Sequence, residues 1–155
     1  MLYNVVLFLH SWVRWGVVFC GVFALAASLR CWLGGRDWLP VHRRLQVAFV
    51  SLFDTQMLLG LTLYFVLSPL TPRTLEAFRT SMSVSFLRFF SVEHPTMMLL
   101  ALAAAHVASA LSRRALEPTR KHRVWAVGLL VVMLLVALGI PWQGLSYGRP
   151  LVRGF

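Results

Sequence analysis

The chain has 155 residues, 59% of them hydrophobic and 13% charged, with a mean hydropathy of +0.74 and a formal charge of +10. One small soluble domain cannot bury that much apolar surface, so the composition excludes the ordinary soluble classes and points to an integral membrane protein. The arginines that carry the charge sit at the ends of apolar runs, where they anchor and orient helices, and no nucleic-acid partner is expected.

In chain order, the first apolar segment predicts a span over about 5–31, with Trp12 and Trp15 near one end and Trp32 and Trp38 near the other, as interfacial aromatic belts require. It has neither a basic leader region nor a small-residue cleavage pattern and is read as uncleaved. Gly34-Gly35 ends it. Pro40 opens a second span, about 41–67, which contains Asp54 and Gln56 and stops at Ser68-Pro69. Next, Leu75, Phe78, Met82, Phe86 and Phe89 recur at steps of three and four, with Glu76, Arg79, Thr80 and Ser83 between them. That pattern predicts an amphipathic helix in the membrane surface over about 74–90. A third span is expected over about 94–112, closed by Arg113-Arg114, and a fourth over about 123–141, ended by Pro141-Trp142. The expectation is all-α: a single transmembrane domain, residues 1–155, folded as a four-helix bundle with no internal repeat. Arginine is concentrated in the two loops that four spans would place opposite the termini, so both termini are expected outside. Cys20 and Cys31 lie in one predicted helix about 16 Å apart and cannot form an internal disulfide.

Ionisable residues inside apolar spans are costly, and each therefore needs a reason. His10 and His94 fall at similar depths near the outer face. They could serve as axial ligands of a b-type haem, with Arg14 one turn from His10 for a propionate, or they could hydrogen-bond at the headgroup level, His94 capping its helix before Pro95. Glu93 could orient the His94 imidazole or be an ordinary acidic residue at a helix N-terminus. Asp54 and His106 are the deepest ionisable groups and are expected to meet within the bundle. With Gln56 they form a candidate polar cluster for protons or a quinone, or a packing contact between helices, and His106 is the reserve haem ligand. His42 and His122 lie in basic clusters and are assigned to anionic lipid headgroups or partner contacts. Met97-Met98 near His94 could point to copper, but methionine in an apolar helix is more often packing.

The sequence contains no Cys-x-x-Cys-His, no His-Glu-x-x-His, no phosphate-binding glycine loop and no nucleophile with a plausible base, which argues against hydrolytic or transferase chemistry. Leu9-His10-Ser11, Glu93-His94-Pro95 and Ile140-Pro141-Trp142 together resemble a group of small four-helix bacterial membrane proteins, some labelled cytochrome b-like. The resemblance covers nearly the whole chain through short motifs. It implies a bacterial inner-membrane setting and electron transfer. Haem-binding cytochromes b place paired histidines within facing helices, whereas here only His106 is expected well inside a span. Two functions follow as expectations: a small subunit of an energy-transducing complex carrying haem b, or a cofactor-free accessory subunit packed against larger membrane-protein partners.

Overall fold

A computed structural model describes residues 1–152. Arg153, which the expected topology puts on the outer side with the C-terminal tail, lies outside the described residues. Helices and the turns between them make up the described chain, with no strand. Four segments are long and apolar enough to cross a membrane: Leu2–Leu33, Pro40–Leu67, Ser85–Arg114 and Pro118–Gly139.

Helix α1, Leu2–Leu33, is closed by a Schellman turn in which Gly35 takes φ +60°, Arg36 N–H donates to Cys31 O at 2.9 Å and Gly35 N–H donates to Trp32 O at 3.2 Å. Helix α2, Pro40–Thr62, has Pro40 in its first turn and continues as a π turn, Leu63–Leu67. The surface helix α3, Leu75–Ser83, starts where the Thr74 hydroxyl accepts from Ala77 N–H at 3.1 Å.

The surface helix is shorter than its periodicity predicts. Val84 is extended, at φ −111° and ψ 110°, and breaks it at Ser83 instead of near residue 90. From Ser85 the chain is helical again, through α4, Ser85–Arg88, and a π turn, Phe89–Glu93, into α5, His94–Arg114. The third candidate span therefore begins at Ser85, and Glu93-His94-Pro95 lies inside it. Proline was read as a helix opening because it removes the N–H that would bond four residues back. In the structure the carbonyl so orphaned, Ser91 O, accepts instead from Tyr64 Oη of the other π turn at 2.9 Å. Helix α6, Pro118–Gly139, completes the set.

Each of α1, α2, α5 and α6 packs against the next in the ring α1–α2–α5–α6, which leaves α1 and α5 on a diagonal. The interior mixes Val17, Phe49, Phe53, Trp125 and Leu129 with a small-residue stripe, Ala101, Ala105 and Ala108 of α5. Large apolar side chains, among them Phe19, Phe23, Leu58, Leu130 and Leu134, point outward instead. Small residues at the contacts and large ones outside suit an apolar solvent, in which close backbone approach drives association.

Candidate functional site

The two π turns place the site. Each inserts one extra residue in a turn and re-aims the following side chains, a device found often beside functional groups. Tyr64 on one and Ser91 on the other are joined by the hydrogen bond above, at the end of the bundle that holds the N-terminus and the segment after α6. There the diagonal pair His10 of α1 and His94 of α5 meets, with ring centroids 6.3 Å apart and planes at 78°.

Each ring has a defined environment. His94 Nδ1 is 2.7 Å from Gly139 O at the end of α6, so Nδ1–H donates to that carbonyl and Nε2 keeps its lone pair. The carbonyl, and not Glu93, orients this imidazole, because Glu93 is paired with Arg88 at 2.8 Å. His10 Nε2 lies 3.4 Å from Gln56 Nε2, whose amide also donates to His10 O at 3.0 Å, while His10 Nδ1 and Gln56 Oε1 are buried without partners. Gly60 makes the approach of α2 possible: a Cβ there would lie 3.1 Å from His10 Cε1.

A cavity of about 130 Å³ adjoins the pair, walled by Val17, Phe53, Leu63, Val136 and Ile140 and bordered by Arg14 and Arg149. A second, of about 50 Å³, extends from the same histidines to Met57, Leu61 and Leu99 between α2 and α5. The segment after α6 folds back over the larger one. Trp15 Nε1 donates to Leu151 O at 3.0 Å and Arg14 donates to the same carbonyl. Tyr147 stacks on Phe89 at 3.9 Å, and the Arg149 guanidinium lies over Phe86 and Phe90.

The remaining sequence candidates separate into two places. His106 Nε2 and Asp54 Oδ1 meet at 2.9 Å, but with side chains 53% and 43% exposed they lie on the outer face of α2 and α5, not within the bundle. Gln56 does not join them. Two residues along a helix is a rotation of about 200°, so Asp54 faces out where Gln56 faces His10. His106 is also about 18 Å along α5 from His94, too far to replace it in the cavity. His42 and His122, assigned above to headgroups, instead face each other at the opposite end of the bundle, 4.7 Å apart, with His122 fully buried.

Sequence reasoning passed over Gly60, Tyr64 and Arg149. Tyr64 stands four residues before Ser68 and gave no signal beyond an aromatic near an interface; its role depends on two π turns that periodicity does not register. No family model, curated protein or solved structure matches this chain.

Proposed function

We propose that this chain is a small electron-transfer subunit of a bacterial energy-transducing membrane complex and holds a b-type haem between His10 and His94. The observation that carries the reading is the spacing of the two rings. Two imidazoles bonded to one metal at about 2.0 Å, each nitrogen about 1.1 Å from its ring centre, have centroids about 6 Å apart. The observed 6.3 Å is close to that separation, so the two imidazoles would hold one iron between them. His94 fits as a donor, since it presents a lone pair fixed by a carbonyl behind it, whereas His10 Nε2 faces the Gln56 amide and would exchange that contact for the metal; the walls are apolar, with two guanidiniums, Arg14 and Arg149, for carboxylates. The cavities, at about 130 and 50 Å³, are smaller than the roughly 300 Å³ and upward of a cofactor pocket. Entry of a macrocycle therefore requires side chains such as Phe53, Met98 and Tyr64 to turn aside and the segment after α6 to open.

When bound, haem would supply one-electron transfer. The chain's own residues then have separate tasks. His10 and His94 would hold the iron, Gly139 O fixes the tautomer of His94, and Leu63 and Val136 would keep water from the centre. Arg14 and Arg149 would balance charge there. The test is a dithionite-reduced minus oxidised spectrum of the protein purified from its native membrane with its partners: a haem b spectrum attributable to this chain is expected, and none would remove the redox reading.

The orientation proposed is both termini outside, supported by Arg43, Arg44, Arg113, Arg114, Arg120, Lys121 and Arg123 flanking the two turns at the opposite end. Thiol-reactive probes that do not cross membranes should label a cysteine introduced at Gln143 in intact spheroplasts and not one introduced at Gly35. The reverse pattern would invert the assignment.

A second reading, a cofactor-free accessory subunit, is favoured by the Asp54–His106 pair. A hydrogen-bonded carboxylate and imidazole on the outer face of two apolar helices face lipid unless another protein covers them, and polar groups in hydrocarbon are expensive. The two readings are compatible, since the pair and the histidine cavity occupy different faces and depths. A partner membrane-protein subunit seated over Asp54 and His106 would serve either.

A further inference from the structure

Cys31, His42 and His122 come from three different helices and meet at the end of the bundle away from the termini. Cys31 lies in the last turns of α1, His42 in the first turn of α2 and His122 in the second turn of α6. One donor atom from each falls within 4.8 Å of the other two. We propose that these three residues bind a d10 metal ion through one thiolate and two imidazoles, the chemistry that Zn²⁺ and Cu⁺ share.

The spacing is the first support. A metal–sulfur bond of about 2.3 Å and a metal–nitrogen bond of about 2.0 Å at a tetrahedral angle hold the two donors about 3.5 Å apart. Cys31 Sγ and His42 Nε2 are 3.6 Å apart. The wider separation of the set calls for a movement of about an ångström when the ion enters.

The second support is an unpaired nitrogen. His122 is wholly buried, its Nε2 is 3.3 Å from Asp37 O, and its Nδ1 has no hydrogen-bond partner. With Nε2–H donating to the carbonyl, Nδ1 carries a lone pair and no proton. A buried acceptor left empty is disfavoured, whereas a ring held from behind by a carbonyl with its other nitrogen free is the usual state of a metal-ligating histidine. The remaining ring packing is consistent with a closed site: Trp38, from the turn between α1 and α2, lies 4.7 Å from the His122 ring and 5.6 Å from that of His42.

Loading balances as follows. The ion displaces the Cys31 thiol proton to solvent, and His122 Nδ1 coordinates without loss of a proton. His42 Nδ1 now accepts from Leu39 N–H at 3.0 Å, so Nε2 carries the ring proton. Coordination through Nε2 moves that proton to Nδ1 and exchanges the bond from Leu39, which shifts the turn 34–39. The three protein ligands leave a fourth position for water on Zn²⁺ and a trigonal set for Cu⁺. The site lies about 31 Å along α1 from His10 and does not depend on the haem reading.

The experiment uses the full chain in detergent, purified without a polyhistidine tag and stripped with chelator. One arm adds Zn²⁺, a second adds Cu⁺ under anaerobic reducing conditions, and a third adds Co²⁺ as an optical probe of the zinc arm. One equivalent of Zn²⁺ or Cu⁺ per chain by elemental analysis is expected, with at least about 10-fold weaker binding in Cys31→Ser and in His122→Gln. The Co²⁺ form should show a near-ultraviolet thiolate-to-cobalt band in the wild type that is missing from Cys31→Ser. Metal binding equal in wild type and Cys31→Ser, or neither ion retained, overturns the proposal. Should a variant fail to fold, the wild-type cobalt band decides alone: its absence on saturation counts against the site.

Discussion

On the proposed haem reading, replacing His94 with alanine is expected to lower the haem-to-chain ratio more than about 10-fold, and His10→Ala is expected to do the same. In the proposed site neither helix alone would hold the group, because α1 and α5 lie across the bundle from each other and each would supply one ligand. The two variants should nonetheless differ in what remains. His94 is fixed by Gly139 O whether or not a ligand is present, so His10→Ala keeps one preset imidazole and should recover a haem signal when free imidazole is added. His10 is held more loosely, by one long contact to Gln56, so His94→Ala should recover less. His106→Ala is the control: its partner is Asp54 on the outer face, and its spectrum should match the wild type. Haem retained in both single variants and lost in His106→Ala would overturn the assignment of the axial pair.

Four apolar helices were legible in the sequence because a bilayer-length apolar run bounded by glycine, proline and arginine is a strong pattern that needs no tertiary information. The errors fall where tertiary contacts decide. Pro95 was taken for the start of a helix, and in isolation that is where proline belongs. In the fold the helix passes through it, since a π turn precedes it and Tyr64 from another helix satisfies the Ser91 carbonyl. The same misjudgement extended the surface helix to residue 90, when Val84 had already ended it and Phe89 had become part of the core.

The candidate site was half legible for a related reason. Counting residues from a membrane face gives depth, and depth paired His10 with His94 and Asp54 with His106. It does not give azimuth. Depth alone grouped Gln56 with Asp54, although two residues on a helix face nearly opposite ways, and it does not distinguish neighbouring spans from diagonal ones such as α1 and α5. His42 and His122 were assigned to headgroups because arginines surround them in sequence. The turn at Gly34-Gly35 folds Trp38 over both rings and buries one of them, a result of loop geometry that local composition does not encode.

Gly128→Ala is expected to destabilise the protein by about 2–3 kcal/mol, a cost beyond that of one methyl group on an ordinary helix surface. A Cβ at position 128 would be driven into Ala108 Cβ, with Ala108 Cα only 3.5 Å away, so the obstruction is close to the backbone of α5 and no rotamer change can relieve it. Helices α5 and α6 must instead move apart, losing the close approach that holds helices together in an apolar solvent. Gly21 makes the comparison. A Cβ there would meet the Met133 thioether and, at 2.9 Å, the Phe49 ring; the thioether is the end of a flexible chain, and Gly21→Ala should cost less. In detergent the Gly128→Ala melting temperature should fall by roughly 4–12 °C for a chain of this size. The decisive measurement is the double variant Gly128→Ala with Ala108→Gly, which moves the methyl group from one helix to the other and should recover most of the loss. If the double variant is as unstable as the sum of the two singles, the α5–α6 contact is not limited by this pair of residues.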